Sequence, residues 1–473
     1  MKTFSINTLG CKVNQYESQQ IRQLLERLGL HKVEPLKRPD LAVVNTCCVT
    51  HTASAKSRQC IRRAQKLSPD AVVVVCGCLP TVQIGELNEL GKNVHLISYR
   101  NKLAATLSQI VSGKTTTSDL QNLQSCPNTT IKTKNETKIK YKNEMTNHQP
   151  KLPQLTSFTG KTRAFLKIQD GCDGCCSYCI VPKTRPFVRS NPADAVLREA
   201  QALVEAGHKE IVVTGVFLGA YGQGTVRRKN WANQRNDKLA ALLDKMAEIP
   251  NLARIRLSSL EPADVTPRLL DIFCKHCNIM PHLHLSLQSG SDAVLKKMRR
   301  QYRADEFRET IESIKSRLDR PAITTDIIVG FPGETDADFE QTVNLAKDVG
   351  FAKMHIFSFS PRRGTAAADM QHTVDNRVIK RRAQILHCLN MKLGLKYRQQ
   401  FVGENTEILM ENDHGQPCGR SERYFMIHLE KAEEKLEKNE LVRVKLIENR
   451  ENGAIGQLLT KETLSSELLK AGI

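Results

Sequence analysis

The stretch GCDGCCSYCIVP (171–182) follows directly on the run AFLKIQ (164–169) and carries four cysteines within eight residues. Cys172, Cys176 and Cys179 have the spacing CxxxCxxC, with Cys175 between them. AFLKIQ predicts a strand and the cysteines a loop after it. The thiols would then stand at the carboxyl end of a strand, the edge on which parallel α/β proteins build their sites. Three chemistries compete for such a loop. A redox pair needs only two thiols. A closed zinc site takes four protein ligands, commonly from paired CxxC spacings. Three thiolates on a 4Fe-4S cluster leave one iron open to an outside ligand, which suits a cluster that does chemistry. Cys175 has the wrong offset to both neighbours and is expected to be a bystander.

Outward from this loop, β and α signals alternate through residues 160–375. After AFLKIQ the strand candidates are EIVVTG (210–215), ARIRLSS (253–259), HLHLSLQ (282–288), ITTDIIVG (323–330) and KMHIFSFS (353–360). Six β-α units with right-handed crossovers predict a partial, TIM-like (β/α)6 barrel. A doubly wound open sheet is the alternative that periodicity leaves open. Residues 1–112 have the same rhythm: KTFSIN, a helix over 15–30, LAVVNT (41–46), a helix near 52–67, AVVVVC (71–76) and VHLIS (94–98). That pattern predicts a parallel α/β sheet domain. From 400 to 460 the short runs TEILM, YFMIHL and LVRVKL, separated by glycine and charged turns, fit a small β-barrel. The expected order is therefore an α/β domain (1–112), a polar linker (113–158), the partial barrel with a basic helix after it (159–399) and the terminal β-barrel (400–465). The linker has seven lysines against three acids and little that could bury a core. Its NTT and NET triplets match glycosylation sequons by chance if the protein is intracellular.

The first domain repeats the three-thiol theme. Cys11 lies just past its first strand, Cys47 at the end of the second, and Cys78 just past the third. In a parallel sheet these ends share one edge, so thiols far apart in sequence can converge. Cys48, Cys60 and Cys76 read as buried small hydrophobes. Cys274 and Cys277, in CKHC, form a lone CxxC without a partner pair and read as structural. Cys126, Cys388 and Cys418 belong to no constellation.

Composition sets the class. The chain has 473 residues, 40% hydrophobic and 25% charged, which predicts two or three soluble domains. No apolar run is long enough to span a bilayer, and MKTFSINTLGCKVNQ has no secretory h-region, so a cytoplasmic location is expected. Fifteen cysteines in such a chain point to metal or redox chemistry rather than disulfides. A net charge of +20 suggests a polyanionic partner, while 5% aromatic residues argue against a base-stacking platform.

Tyr178, just before the third cysteine, sharpens the motif. CxxxCxxC with this aromatic, after the first strand of a six-strand barrel, resembles the radical S-adenosylmethionine (SAM) enzymes. In that family three cysteines hold a 4Fe-4S cluster whose open iron chelates SAM. The resemblance implies SAM contacts near Tyr178, Gly215, Ser259, Glu261, Gln288 and Gly330, all at strand ends of the predicted barrel. With a three-cysteine domain before the barrel and a small β-barrel after it, the chain resembles the methylthiotransferases, the terminal barrel being their TRAM module. NTLGCKVNQYES, NTCCVT and HLHLSLQSGSDAVLKKMRRQY look most like the MtaB type.

That resemblance implies methylthiolation of carbon 2 of N6-threonylcarbamoyladenosine, next to the anticodon in tRNA. The cluster on Cys172, Cys176 and Cys179 would cleave SAM to the 5′-deoxyadenosyl radical. A second 4Fe-4S cluster on Cys11, Cys47 and Cys78 would hold the sulfur, and no side chain is assigned as catalyst. Partners would be tRNA, an electron donor and a sulfur source, with a monomer as the family-like state. RNA contacts are expected from Arg228, Arg299, Arg300, Arg381 and Arg382, within basic stretches that also hold Arg227, Lys229 and Arg235. Residues 362–399 have nine Lys and Arg against Asp369 and Asp375.

The terminal segment pulls the other way. Residues 401–460 have eight Lys and Arg against twelve Asp and Glu, awkward for docking on phosphates. Two related activities are therefore alternatives: methylthiolation of an aspartate in a small-subunit ribosomal protein, and of isopentenyladenosine in tRNA. A zinc-bearing RNA-binding protein without enzymatic activity is a third.

Overall fold

The computed structural model describes residues 1–82, 87, 93–98, 100–113, 151–231, 236–411, 417–430 and 436–459. The sequons, Cys126 and Arg235 lie outside the described residues. The chain forms two compact units, Met1–Leu155 with Lys183–Pro186, and Thr156–Pro182 with Phe187–Ile473.

The first unit contains β1 (Thr3–Thr8), α1 (Lys12–Arg27), β2 (His31–Lys32), β3 (Leu41–Thr46), α2 (His51–Leu67), β4 (Val72–Gly77), β5 (Val94–Leu96) and α3 (Leu103–Ser112). Its strands form one parallel five-stranded sheet in the order β2-β1-β3-β4-β5. The central strand LAVVNT is buried at every position, as a strand covered on both faces must be. Phe4, Ile21, Leu25, Val43, Val74 and Leu107 pack the core, with Cys76 among them as a core thiol.

The end of the predicted linker is not a linker. Leu155 and Phe158 are buried, and Leu152 packs on the first unit's core. Gln20 and Gln23 donate to the carbonyls of Pro153 and Gln154 at 2.7 and 3.0 Å. Phe158 meets Phe165 edge-on at 5.3 Å within the second unit. The lysine-rich stretch before residue 151 masks these few apolar anchors in any composition window. Residues 114–150 lie outside the described ones.

In the second unit, β6 (Ala164–Lys167), β9 (Glu210–Thr214) and β10 (Arg254–Leu257) form one parallel sheet, and β11 (His282–His284), β12 (Ala322–Val329) and β13 (Lys353–Ser358) a second. The pair β7 (Gln169–Asp170) and β8 (Arg189–Ser190) is separate. Parallel bridging at Leu260 and Leu285 joins the two sheets: Leu260 N donates to His284 O at 2.9 Å and Ser286 N to Leu260 O at 3.1 Å. The six strands thus follow one another in sequence order, as in an open barrel. The helices α4 (Ala193–Glu205), α5 (Lys238–Ala247), α6 (Pro267–Lys275), α7 (Asp292–Lys297), α8 (Ala304–Arg317) and α9 (Asp336–Val349) fall between strands, and α10 (Asn376–Gln399) follows them. HLHLSLQ forms a regular strand at His282–His284. Beyond it Leu287 N bonds the Thr325 hydroxyl at 3.0 Å and Gln288 adopts φ 64°, so the continuous ladder gives way to single bridges at Leu285 and Gln288.

A closed barrel follows in the same unit: β14 (Asn405–Met410), β15 (Cys418–Ser421), β16 (Met426–Leu429), β17 (Leu441–Arg450) and β18 (Gly453–Leu458), in the order β14-β15-β16-β18-β17. Its acids face arginines of the larger barrel. Arg320 pairs with Glu404 at 2.6 Å, Arg254 with Glu407 at 3.2 Å and Arg163 with Glu411 at 3.1 Å. The fully buried Arg254 also donates to the carbonyls of Arg420 and Glu407 at 2.9 and 2.8 Å. The Tyr424 ring lies 4.6–5.0 Å from the guanidinium carbons of Arg420, Arg256 and Arg163. The acidity that looked unsuited to RNA therefore serves, in part, to dock one barrel on the other. Among the described residues no helix is long and apolar enough to cross a membrane.

Candidate active site: two three-cysteine loops

In the first unit all three candidate cysteines stand at carboxyl ends of adjacent strands. Cys11 is the N-cap of α1, Cys47 follows β3 and Cys78 follows β4. Two glycines make this possible. Gly10 has φ 102°, and a Cβ there would lie 2.8 Å from Cys47 Cβ and 3.1 Å from its sulfur. Gly77 has φ 94°, and a Cβ there would meet Thr46 O at 2.4 Å. Ser57 on α2 clamps Cys47, accepting from its N–H at 3.1 Å and donating to its carbonyl at 2.9 Å.

Beneath the thiols lies a buried polar network. Asn14 Nδ2 donates to Leu9 O and Thr46 O at 2.8 and 2.9 Å, tying the Cys11 loop to the Cys47 strand. Arg185, from the Lys183–Pro186 excursion, bonds both carboxylate oxygens of Glu17 at 2.8 and 2.7 Å and Asn14 Oδ1 at 3.0 Å. Arg100 stands 3.5 Å from Glu17 and donates to Cys78 Sγ at 3.4 Å. Burial pushes the Cys47 thiol up to about 11. Cys78 falls well below the ordinary range, first through the hydrogen bond of Cys48 and then through Arg185 and Arg100. Cys48, read as a core thiol, is buried yet donates to Cys78 O at 3.4 Å. Sequence reading missed Asn14, Glu17, Arg100 and Arg185. The first two recur three and six residues after Cys11, on one face of a helix; the arginines have no local signal.

In the second unit, residues 171–180 form the loop after β7. Ser177 pins it: its N–H donates to Met298 O at 3.0 Å, its hydroxyl to Lys297 O at 2.8 Å, and its carbonyl accepts from Ala367 at 2.7 Å. Gly174 N–H donates to Cys172 Sγ at 3.3 Å and Arg300 to Cys176 Sγ at 3.3 Å. Burial raises Cys172 and Cys179 to about 12. Cys175 is exposed. A cavity opens on the loop, lined by Cys172, Cys176, Tyr178, Cys179, Phe217, Ser259, Glu261, Ser286, Arg299 and Arg300, with Cys175 also on its wall.

Tyr178, Ser259 and Glu261 thus share one cavity with the three cysteines. Gly215, Gln288 and Gly330 do not line it. Gly215 packs on Gln169, Gln288 bonds Asp326 O at 2.8 Å through its N–H, and Gly330 packs on Ile379. Three of the arginines expected to meet RNA are committed internally. Arg300 pairs with Glu261 at 2.5 Å, and Arg228 with Asp264 and Glu261 at 2.7 and 3.2 Å. Arg382, 3% exposed, pairs with Glu334 at 2.7 Å and Asp336 at 2.8 Å. Their clustering in sequence with exposed cations hid this burial. Arg299 and Arg381 are exposed.

Val226 and Arg227, at the start of a basic stretch expected to meet RNA, line the cavity instead. Val226 and Trp231 are buried, and Trp231 donates to Thr225 O at 2.8 Å. Asp173, inside the cysteine motif, accepts from the Thr225 hydroxyl and Val226 N–H at 2.8 and 2.9 Å. Asp173, Asp264 and Trp231 are further residues that spacing did not single out.

Neither cysteine set brings its three sulfurs within 4.8 Å of one another. A single zinc with bonds of about 2.3 Å would require closer sulfurs. The thiols of each set nonetheless share one locality, at three adjacent strand ends in the first unit and on one cavity wall in the second. Three soft donors in one loop, or at three adjacent strand ends, make the donor set of an iron–sulfur cluster that keeps one position open.

Comparison with known proteins agrees. Residues 166–346 match the radical SAM superfamily and 3–98 a family described as uncharacterized protein family UPF0004. The chain is 34% identical to the threonylcarbamoyladenosine tRNA methylthiotransferase MtaB of Bacillus subtilis, over 94% of both chains. It is 35% identical to the MtaB of Chlamydia pneumoniae, over 97% of this chain and 98% of the relative. A tRNA-2-methylthio-N(6)-dimethylallyladenosine synthase of Pelotomaculum thermopropionicum is 31% identical over 89% of each. In fold, the radical SAM methyltransferase TsrM from Kitasatospora setae matches with a TM-score of 0.52 at 13% identity, over 76% of this chain and 74% of that one. The chain belongs to the radical SAM methylthiotransferases, transferases that work with 4Fe-4S clusters and S-adenosylmethionine.

Proposed function

We propose that this enzyme methylthiolates carbon 2 of N6-threonylcarbamoyladenosine in tRNA. The observation that carries the reading is near-full-length similarity, at 34–35% identity, to relatives named for that reaction. Cys172, Cys176 and Cys179 would hold the cluster that binds SAM, and Cys11, Cys47 and Cys78 the auxiliary cluster. When bound, this cofactor set supplies a radical able to take hydrogen from an unactivated C–H bond, together with sulfur for the product.

The chain's own residues do the positioning. Arg300, donating to Cys176 Sγ, stabilises a thiolate that burial alone disfavours. Glu261 accepts from Arg300 and Arg228 through different oxygens, so it orients the two arginines instead of offering a free carboxylate to SAM. Ser259 and Ser286 leave hydroxyls on the cavity wall. Trp231 and Phe217, both under Arg228 at 5.0 and 5.7 Å, help exclude water from that wall. Exposed Arg299 remains for phosphate contacts, as does Arg381, whose pair with Asp336 at 3.7 Å is itself exposed, with Lys380, Lys392 and Lys396 of α10 in the same exposed set.

The acidic terminal barrel favoured a protein substrate; the pairing of Glu404, Glu407 and Glu411 with arginines of the larger barrel removes much of that argument. The test is deletion of the gene followed by mass spectrometry of tRNA nucleosides. The 2-methylthio derivative of threonylcarbamoyladenosine should disappear, with its unthiolated precursor accumulating. Persistence of that derivative, with loss of the dimethylallyl counterpart or of a ribosomal-protein methylthio group, would overturn the reading.

A further inference from the structure

Among the described residues one group of three metal-ligating side chains has donor atoms all within 4.8 Å of one another: His284, Asp326 and His355. They come from three adjacent parallel strands. Asp326 of β12 stands opposite His355 of β13, and His284 of β11 opposite Thr324. With the strand period of two, Thr324 and Asp326 share a face, and both histidines project on it beside them.

The geometry is that of an oriented donor set. His284 Nδ1 contacts the Thr324 hydroxyl at 3.0 Å, so the ring presents Nε2 toward Asp326 Oδ2, 3.3 Å away. The Thr324 hydroxyl is itself held by His282 Nε2 at 3.2 Å. The His284 and His355 rings are 5.8 Å apart, inclined at 46°. Among the described residues Asp326 makes no ion pair with a lysine or arginine, so no fixed cation neutralises it. The side chains of His284 and Asp326 are 13% and 29% exposed and His355 is exposed, so an ion could enter.

We propose that His284, Asp326 and His355 bind one divalent first-row transition ion, of the Zn²⁺ or Fe²⁺ class. Two imidazoles and a carboxylate are the donor set such ions prefer, unlike the thiolates of the cluster loops. Bonds of about 2.0–2.2 Å require donor atoms roughly 3–3.5 Å apart, a small closure of the present spacing. Three protein ligands leave at least one position for water or an oxygen donor from outside the chain, the arrangement of a working rather than a purely structural ion. Thr324 holds the aim of the His284 ring, as a residue behind a metal ligand does. The site requires neither the cysteine cluster nor RNA, so it stands apart from the proposed substrate.

The test uses full-length protein with its clusters assembled anaerobically, equilibrium dialysis against Zn²⁺, and zinc and iron measured on the same sample. Wild type should bind one zinc per chain beyond its iron. Asp326→Asn and His355→Gln should each weaken zinc binding by more than about tenfold, and Thr324→Val by about 10–100-fold. Iron content and far-ultraviolet circular dichroism should be unchanged in all three variants. No zinc bound by wild type, or equal binding by wild type and the two ligand variants, would overturn the site and leave His284 and Asp326 as a simple hydrogen-bonded pair. No step of the experiment contains tRNA, so its failure is separate from failure of the tRNA reading.

Discussion

Arg185→Ala should unfold the auxiliary-cluster site without touching a cysteine. The guanidinium makes three bonds to buried acceptors: 2.8 and 2.7 Å to the two oxygens of Glu17, and 3.0 Å to Asn14. Arg185 is 6% exposed and Glu17 5%, so water can reach neither readily. Truncation takes from Glu17 its closest cation, the remaining arginine, Arg100, standing 3.5 Å away. Removing one partner of a buried pair costs about 3–5 kcal/mol, because the remaining charge stays desolvated. For a unit of this size that corresponds to a fall of roughly 6–20 °C in its thermal transition. Asn14 would also lose the bond that holds its Oδ1, loosening the tie between the Cys11 loop and Thr46. The assay is thermal unfolding by circular dichroism, together with iron and sulfide analysis of anaerobically assembled protein. Iron should fall from about eight to about four per chain, because one of two 4Fe-4S clusters is lost. An unchanged transition and unchanged iron would refute the reasoning that this network holds the site.

Cys176→Ala should abolish SAM cleavage, whereas Cys175→Ala, altering an exposed residue beside the motif, should leave it largely intact; equal loss in both would overturn the ligand assignment. Glu261→Gln removes the carboxylate between Arg300 and Arg228 and should slow SAM cleavage by about 10–100-fold, measured by 5′-deoxyadenosine release, with iron retained. Burial holds the His208 imidazole below its ordinary range. The unfolded chain then binds that proton more readily, so the contribution of His208 is fully present above about pH 6.5 and lost as pH falls. Urea midpoints should drop less between about pH 7.5 and 5.5 in His208→Gln than in wild type.

The parts of this molecule that were legible in sequence are those with a period or a spacing. LAVVNT and AVVVVC announce buried parallel strands because both faces are covered, and the structure places them at Leu41–Thr46 and Val72–Gly77. The cysteine loops were legible because three thiols at strand ends have few uses. Long-range pairing was not legible. Arg228, Arg300 and Arg382 look like neighbouring cations in the chain, and only the fold reveals the buried carboxylates that take them. The same holds for Arg185, whose partners lie more than 160 residues earlier in the chain. Net charge misled in the terminal barrel because it ignores which face carries the acids. Leu155 and Phe158 were hidden by their polar, lysine-rich prelude.

The most direct test of the account is a single-turnover assay with the cluster-loaded enzyme, SAM and a reductant on two anticodon stem-loops. One carries threonylcarbamoyladenosine and the other dimethylallyladenosine at the same position. Mass spectrometry should show a methylthio group replacing hydrogen on the threonylcarbamoyl substrate and little or none on the other. Equal modification of both, or preference for the dimethylallyl substrate, would contradict the account.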